Sequence, residues 1–226
     1  MKNLIPFLLL AIVVISFSCT KNSVIDGGLS IAEVNMTTLD YLKSTPHHQF
    51  DTLIILLKAA GIDQEVNSAN QTFVAPTDYA FRNFIIEKQA ALRIIYNDEN
   101  YVYNYDSLKN EIANYKDTLR MYMIPGKINR VDLVSPRITK STSNVIVALQ
   151  LIESKLYTEW VPNSIPKFLW FSKVINGFDK PNDITIPLAD QDPISRCQTS
   201  GIITTNGILH VLDDDHIFGF RHHIAQ

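Results

Sequence analysis

The chain carries only two cysteines in 226 residues, Cys19 and Cys197. That excludes a fold stapled by several disulfides and leaves stability to core burial. Its eight glycines nowhere form a phosphate-cradling loop. No G-x-S-x-G elbow presents a serine, and no H-E-x-x-H helix presents two imidazoles on one face. Positive charge is not in excess either: 20 Lys and Arg stand against 23 Asp and Glu, a mildly acidic balance that argues against a nucleic-acid partner. No run of apolar residues reaches the roughly 20 positions that a membrane-spanning helix needs.

The longest apolar run, Leu4 to Phe17, follows Lys2 and ends in Ser16-Phe17-Ser18-Cys19. A short positive segment, an apolar core and small residues read as a secretory signal over 1–18. A cysteine placed directly after them resembles the bacterial lipoprotein signal, which predicts lipid on Cys19 and a membrane-anchored, extracytoplasmic address, at the outer membrane or cell surface. Cleavage there removes Lys2 and takes the formal net charge from −3 to −4. Cys197 is then the one unmodified thiol, so no intramolecular disulfide forms. Residues 19–36, with Asp26-Gly27-Gly28 and few large apolar side chains, read as a lipidated tether. The domain proper is expected over 37–226, roughly 200 residues and enough for one good core.

Leu39 and Leu42 open a helical turn, and Phe50, Leu53, Ile54, Leu57 and Ala60 keep helical spacing to a C-cap at Gly61. Gln71–Ala75 reads as a strand closed by Pro76. Thr77 stands at a helix N-cap, with Asp78 in the first turn and Phe81, Phe84 and Ile85 as the buried stripe. A cap explains both residue types, so Thr77 and Asp78 are read as structural rather than as nucleophile and base. Leu108, Ile112, Tyr115, Leu119 and Tyr122 predict a second long helix, ended by Pro125-Gly126. Tyr96–Tyr105 reads as a solvated surface insertion.

Beyond Gly126 the pattern turns to β, with strands expected over Ser143–Ile152, Lys155–Val161 and Lys167–Ile175. Asn206-Gly207 joins Gly201–Thr205 to Ile208–Leu212 as a hairpin whose two central residues would both take positive φ. Ile208–Leu212 is apolar on both faces and should be a central strand. His210 within it is then a core histidine that needs hydrogen-bond partners for two nitrogens, not a catalytic base. Asp213-Asp214-Asp215-His216 lacks the alternating spacing and glycine of a calcium loop. The adjacent pairs His47-His48 and His222-His223 lack the four-residue spacing that aims two imidazoles at one ion. No metal and no cofactor is expected.

Three stretches together carry a family resemblance. TFVAPTDYAF (72–81) resembles the first signature of the fasciclin domain. TTNGILHVLDD (204–214) resembles the second, whose Asn206, Gly207, His210 and Asp213 match it in order, and LRMYMIPGKI (119–128) resembles the middle segment. There Tyr122 is kept while Met123 replaces a histidine. The middle segment is associated with integrin adhesion in animal members, so the replacement touches that mode of binding rather than the fold. The resemblance implies a single α/β (α+β) domain, a β-sandwich-like wedge of two sheets with a cluster of helices, with insertions near 87–105 and 157–193. It also implies a surface-anchored adhesion or binding module with no family-wide catalysis, recognising a protein or matrix partner. Glycan or small-ligand capture is the alternative, motivated by the aromatic cluster Tyr157, Trp160, Phe168, Trp170 and Phe171 in the second insertion. A hydrolase without a motif comes third, because paired carboxylates leave no spacing in a single sequence.

Overall fold

The computed structural model describes residues 32–154, 166–180 and 185–220, and the compact unit begins at Glu33. Helix α1 (Thr38–Ser44) is capped by the Thr37 hydroxyl, which accepts from the Asp40 amide. Helix α2 (Asp51–Ala59) buries Leu53, Ile54, Leu56 and Leu57. It ends where Gly61 takes φ 67°, with the Gly61 and Ile62 amides bonded back to Lys58 and Leu57 carbonyls at 2.9 and 3.0 Å. A side chain at Gly61 would be strained in that left-handed conformation, which explains the glycine after the last turn.

Helix α3 (Asp78–Tyr96) buries Phe81, Phe84 and Ile85, as its apolar spacing requires. It also absorbs the first residues of the expected 87–105 insertion. The stretch that follows is less solvated than its polarity suggested. Tyr103 is 4% exposed, and its hydroxyl donates to Glu111, which also pairs with the Lys88 ammonium. Lys88 lies over the Tyr103 and Tyr115 rings at 4.5 and 4.9 Å. A partly buried cation among aromatic faces and one carboxylate holds the returning chain against α3.

The predicted long helix from Leu108 to Tyr122 is three pieces: α4 (Tyr105–Asn110), a 3₁₀ turn over Ile112–Tyr115, and α5 (Lys116–Met121). Glu111 (φ −102°, ψ 10°) and Tyr115 (φ −106°, ψ 11°) step out of helical geometry. Even so, Leu108, Ile112, Leu119 and Tyr122 all reach the core. Periodicity reports which side chains point inward, and short helical pieces satisfy it as well as one helix.

The strands are β1 (Gln71–Ala75), β2 (Met123–Pro125), β3 (Arg137–Lys140), β4 (Ile146–Glu153), β5 (Lys167–Lys173), β6 (Ile194–Ile203) and β7 (Gly207–Leu212). They form one sheet in the order β2-β1-β7-β6-β5-β4-β3. β1 and β7 run parallel, so the two signature strands lie side by side, and the other neighbours are antiparallel. The expected strand over Lys155–Val161 falls outside the described residues.

The expected wedge takes the form of two halves that share β6. Ile194–Arg196 pairs with β5, and from Cys197 onward the strand pairs with β7, with register shifts at Cys197/Thr199 and Thr199/Ile202. The Thr142 amide donates to the Met123 carbonyl at 2.8 Å, which brings the β3 end of the sheet back toward β2 and makes it nearly a barrel. Met123, the residue in place of the family's histidine, is fully buried. Phe50, Phe73, Phe81, Phe171, Phe218 and Tyr122 fill the core, each large side chain contributing about 2–3 kcal/mol.

Candidate functional site

The hairpin joining β6 to β7 forms, but by other means than a pair of positive φ angles. Neither Asn206 nor Gly207 is among the positive-φ residues. The Thr204 amide donates to the Gly207 carbonyl at 3.0 Å, and the Gly207 amide donates to the Thr204 hydroxyl at 3.1 Å. Glycine is required for space: a Cβ at 207 would lie 2.0 Å from the Gln71 carbonyl oxygen. Asn206 Oδ1 accepts from the Thr38 amide at 2.8 Å and its Nδ2 donates to the Val66 carbonyl at 3.3 Å, so its side chain ties α1 to the hairpin.

Thr77 occupies the N-cap of α3 but makes no side-chain cap bond. Its hydroxyl donates instead to Asp214 Oδ1 at 3.0 Å. Asp78 does not serve its own helix either. Its carboxylate accepts from the Thr52 amide at 3.0 Å and the Leu53 amide at 3.4 Å, capping α2. Burial pushes this carboxyl above its ordinary value, against the opposing pull of the Thr52 and Leu53 amides. Helix α2 has no cap from Phe50, the residue before it, and Asp78 supplies one from across the core.

His210 is fully buried on β7. Its Nδ1 accepts from the Gly201 amide at 3.0 Å, so Nε2 carries the proton and donates to the Ile128 carbonyl at 3.0 Å. Burial lowers it to about 4. Cys197 is buried, and desolvation raises its thiol well above the ordinary range.

Sequence reasoning passed over His216 as a buried residue, seeing only a run of carboxylates beside it. It is 2% exposed, with the Tyr122 hydroxyl 2.7 Å from Nε2 and the Ser195 hydroxyl 2.7 Å from Nδ1. The Gly219 amide donates to the Tyr122 oxygen at 2.8 Å. The hydrogen of this fully buried hydroxyl therefore goes to His216 Nε2. Nδ1 must then hold the imidazole proton and donate it to Ser195, whose own hydrogen is left to point elsewhere. Burial holds His216 neutral, lowered to about 3. A serine that accepts from its histidine is not activated as a nucleophile, so this relay presents a donor rather than a base.

Ser195 and His216 line a cleft of about 520 Å³ where β6 passes from β5 to β7. Its walls come from the end of β4, from β5, from the start of β6 and from Asp213–His216. Along β5 the side chains alternate. Leu169 and Phe171 are buried in the core, whereas Phe168 and Trp170 are half-buried and face the cleft. Phe171, counted with the aromatic binding cluster in the sequence, is thus a core residue, packed on Tyr122 and Phe220 at 5.8 and 5.6 Å. Trp170 sits opposite Arg196. Arg196 stacks over Phe168 at 5.2 Å and pairs with Asp213, with Nε 2.9 Å from Oδ2. Tyr157 and Trp160, the other candidate contacts, lie outside the described residues, as do Cys19 and His222-His223. His47 and His48 are exposed. Among the described residues no cluster of His, Cys, Asp or Glu could hold a metal ion, and no helix is long and apolar enough to cross a membrane.

The parallel pairing of two signature strands, with Asn206, Gly207 and His210 at their junction, defines the class of domain. A family profile for the fasciclin domain matches residues 48–214, and the chain belongs to that family. Fasciclin domains are adhesion-type modules rather than enzymes. A solved structure of a FAS1 domain pair from the insect cell adhesion molecule fasciclin I is similar at 10% identity with a TM-score of 0.43, over 76% of this chain and 45% of that one. The chain thus spans less than half of that pair. A search of curated proteins returned no match.

Proposed function

We propose that the protein is a lipid-anchored adhesion module of the cell surface or periplasm, held by acyl chains on Cys19 and binding protein or matrix partners. Family membership supports adhesion, and the apolar segment ending at Cys19 supports the anchor. The observation that carries binding over catalysis is the relay at the cleft. Tyr122, His216 and Ser195 are aligned to hold a donor in place, with the imidazole proton on the nitrogen that faces the serine. Contact energy in such a module concentrates in a few aromatic or arginine anchors, and the shared cleft walls of Trp170, Phe168 and Arg196 support that role for them. Glycan capture, the alternative, draws on the same aromatic face.

The test compares cells carrying the wild-type chain with cells carrying Cys19→Ala. The variant should leave the membrane fraction, and attachment of cells to a surface coated with matrix protein should drop to that of cells lacking the gene. A variant that stays with membranes after a high-salt wash, or a wild type that gives no attachment, refutes the reading.

A further inference from the structure

We infer that the cleft beside Trp170 is a binding site for a neutral oligosaccharide. This rests on the reading of the protein as a surface binding module and names the chemistry one face of it takes. Three features converge. Trp170 and Phe168 present half-buried ring surface on one wall, and the axial C–H face of a pyranose is an apolar surface of matching size. Around these rings stand groups of both hydrogen-bonding senses. Arg196 uses Nε and Nη2 on Asp213, and its Nη1 makes no hydrogen bond among the described residues. Ser195 has its hydroxyl hydrogen free once His216 donates to its oxygen. The Asp213 and Asp215 carboxylates are the acceptors. Neighbouring sugar hydroxyls each donate and accept, so they need such an alternation, which a purely apolar ligand would leave unpaired.

The Ser195 donor is held by construction. The chain from the Gly219 amide through Tyr122 and His216 to Ser195 fixes each hydrogen in one direction. Its inner members are buried, so the outermost hydroxyl is oriented before a ligand arrives. A ligand acceptor that meets it loses little orientational freedom on the protein side.

Charge and shape narrow the ligand further. Arg196 pairs with Asp213 and Lys167 with Glu153, which leaves, among the described residues, the Asp215 carboxylate and no unpaired cation on the cleft walls, a balance that disfavours phosphates, acidic polysaccharides and nucleic acid. A second depression of about 420 Å³ shares Ile194, Ser195 and Asp215 with the first. The two together extend beyond one ring, which suits a chain of sugars over a single residue.

The experiment titrates the purified full-length protein with cellotetraose, maltotetraose, xylotetraose and mannotetraose, with tetragalacturonate as the anionic control, by calorimetry. At least one neutral tetrasaccharide should bind saturably, and tetragalacturonate should bind at least tenfold more weakly. Trp170→Ala should weaken that binding at least tenfold and Ser195→Ala about tenfold, the size of one oriented hydrogen bond, with the thermal midpoint of Ser195→Ala close to wild type. Trp170→Phe, which keeps an aromatic face, should restore part of the affinity and guards against a folding defect in the alanine variant. No saturable binding by any of the four sugars, tighter binding of the anionic one, or affinity unmoved by both Trp170→Ala and Ser195→Ala overturns the inference. Attachment of cells carrying the wild-type chain to matrix protein is measured separately, so a failed sugar titration with intact attachment sinks this inference alone.

Discussion

The two buried histidines should make this domain lose stability as pH falls below 6.5. His210 and His216 are both neutral and buried, lowered by desolvation from 6.5 to about 4 and about 3. The unfolded chain binds their protons more readily, so the stability they contribute is complete above pH 6.5 and is lost as pH falls toward the folded values. Between pH 7 and pH 5 each costs about 2 kcal/mol, close to the full linkage slope of about 1.4 kcal/mol per pH unit below 6.5. Together they remove about 4 kcal/mol, a large share of a total stability of about 5–15 kcal/mol. Asp78 acts in the opposite sense, because its raised carboxyl favours protonation in the fold. It therefore offsets part of the loss, and the His216→Gln comparison isolates the histidine share. Urea denaturation followed by far-UV circular dichroism at pH 7, 6 and 5 should show the midpoint falling by about 2 M, for a slope near 2 kcal/mol/M. His216→Gln should start less stable, but its loss over the same window should be about half that of the wild type. A midpoint constant from pH 7 to pH 5, or an undiminished loss in His216→Gln, refutes the reasoning.

Gly207→Ala should destabilise by more than about 4 kcal/mol or prevent folding, since a Cβ 2.0 Å from the Gln71 carbonyl must break the pairing of β1 with β7. A thermal midpoint within a few degrees of wild type would show that the strands separate easily. Asp78→Ala should cost about 1–2 kcal/mol by uncapping α2, and hydrogen exchange should rise at Thr52 and Leu53 rather than at the start of α3. Protection lost first at α3 would assign Asp78 to its own helix.

Much of this molecule is written in short windows of sequence. The turn of α1, the stripe and C-cap of α2, the apolar face of α3 and the two-faced burial of β7 follow from residue spacing and from what glycine tolerates, so each is legible without knowing its neighbours. The alternation at Phe168–Phe171 is equally local, although which pair faces the core is not. Only the tertiary structure decided the rest. Asp78 sits where an N-cap motif predicts service to its own helix, yet it caps α2, because the approach of the two helix starts is a property of packing. Gly207 is needed for the closeness of β1 and not for a turn angle, and no window of sequence contains both strands. The helix predicted from Leu108 to Tyr122 breaks at Glu111 and Tyr115 while its apolar spacing survives, since burial constrains side-chain direction more tightly than backbone form. The relay through Tyr122, His216 and Ser195 joins positions 94 and 21 residues apart. Its proton arrangement depends on a fourth group, the Gly219 amide, and hydrogen bonds between distant segments leave no periodic trace in the chain that makes them.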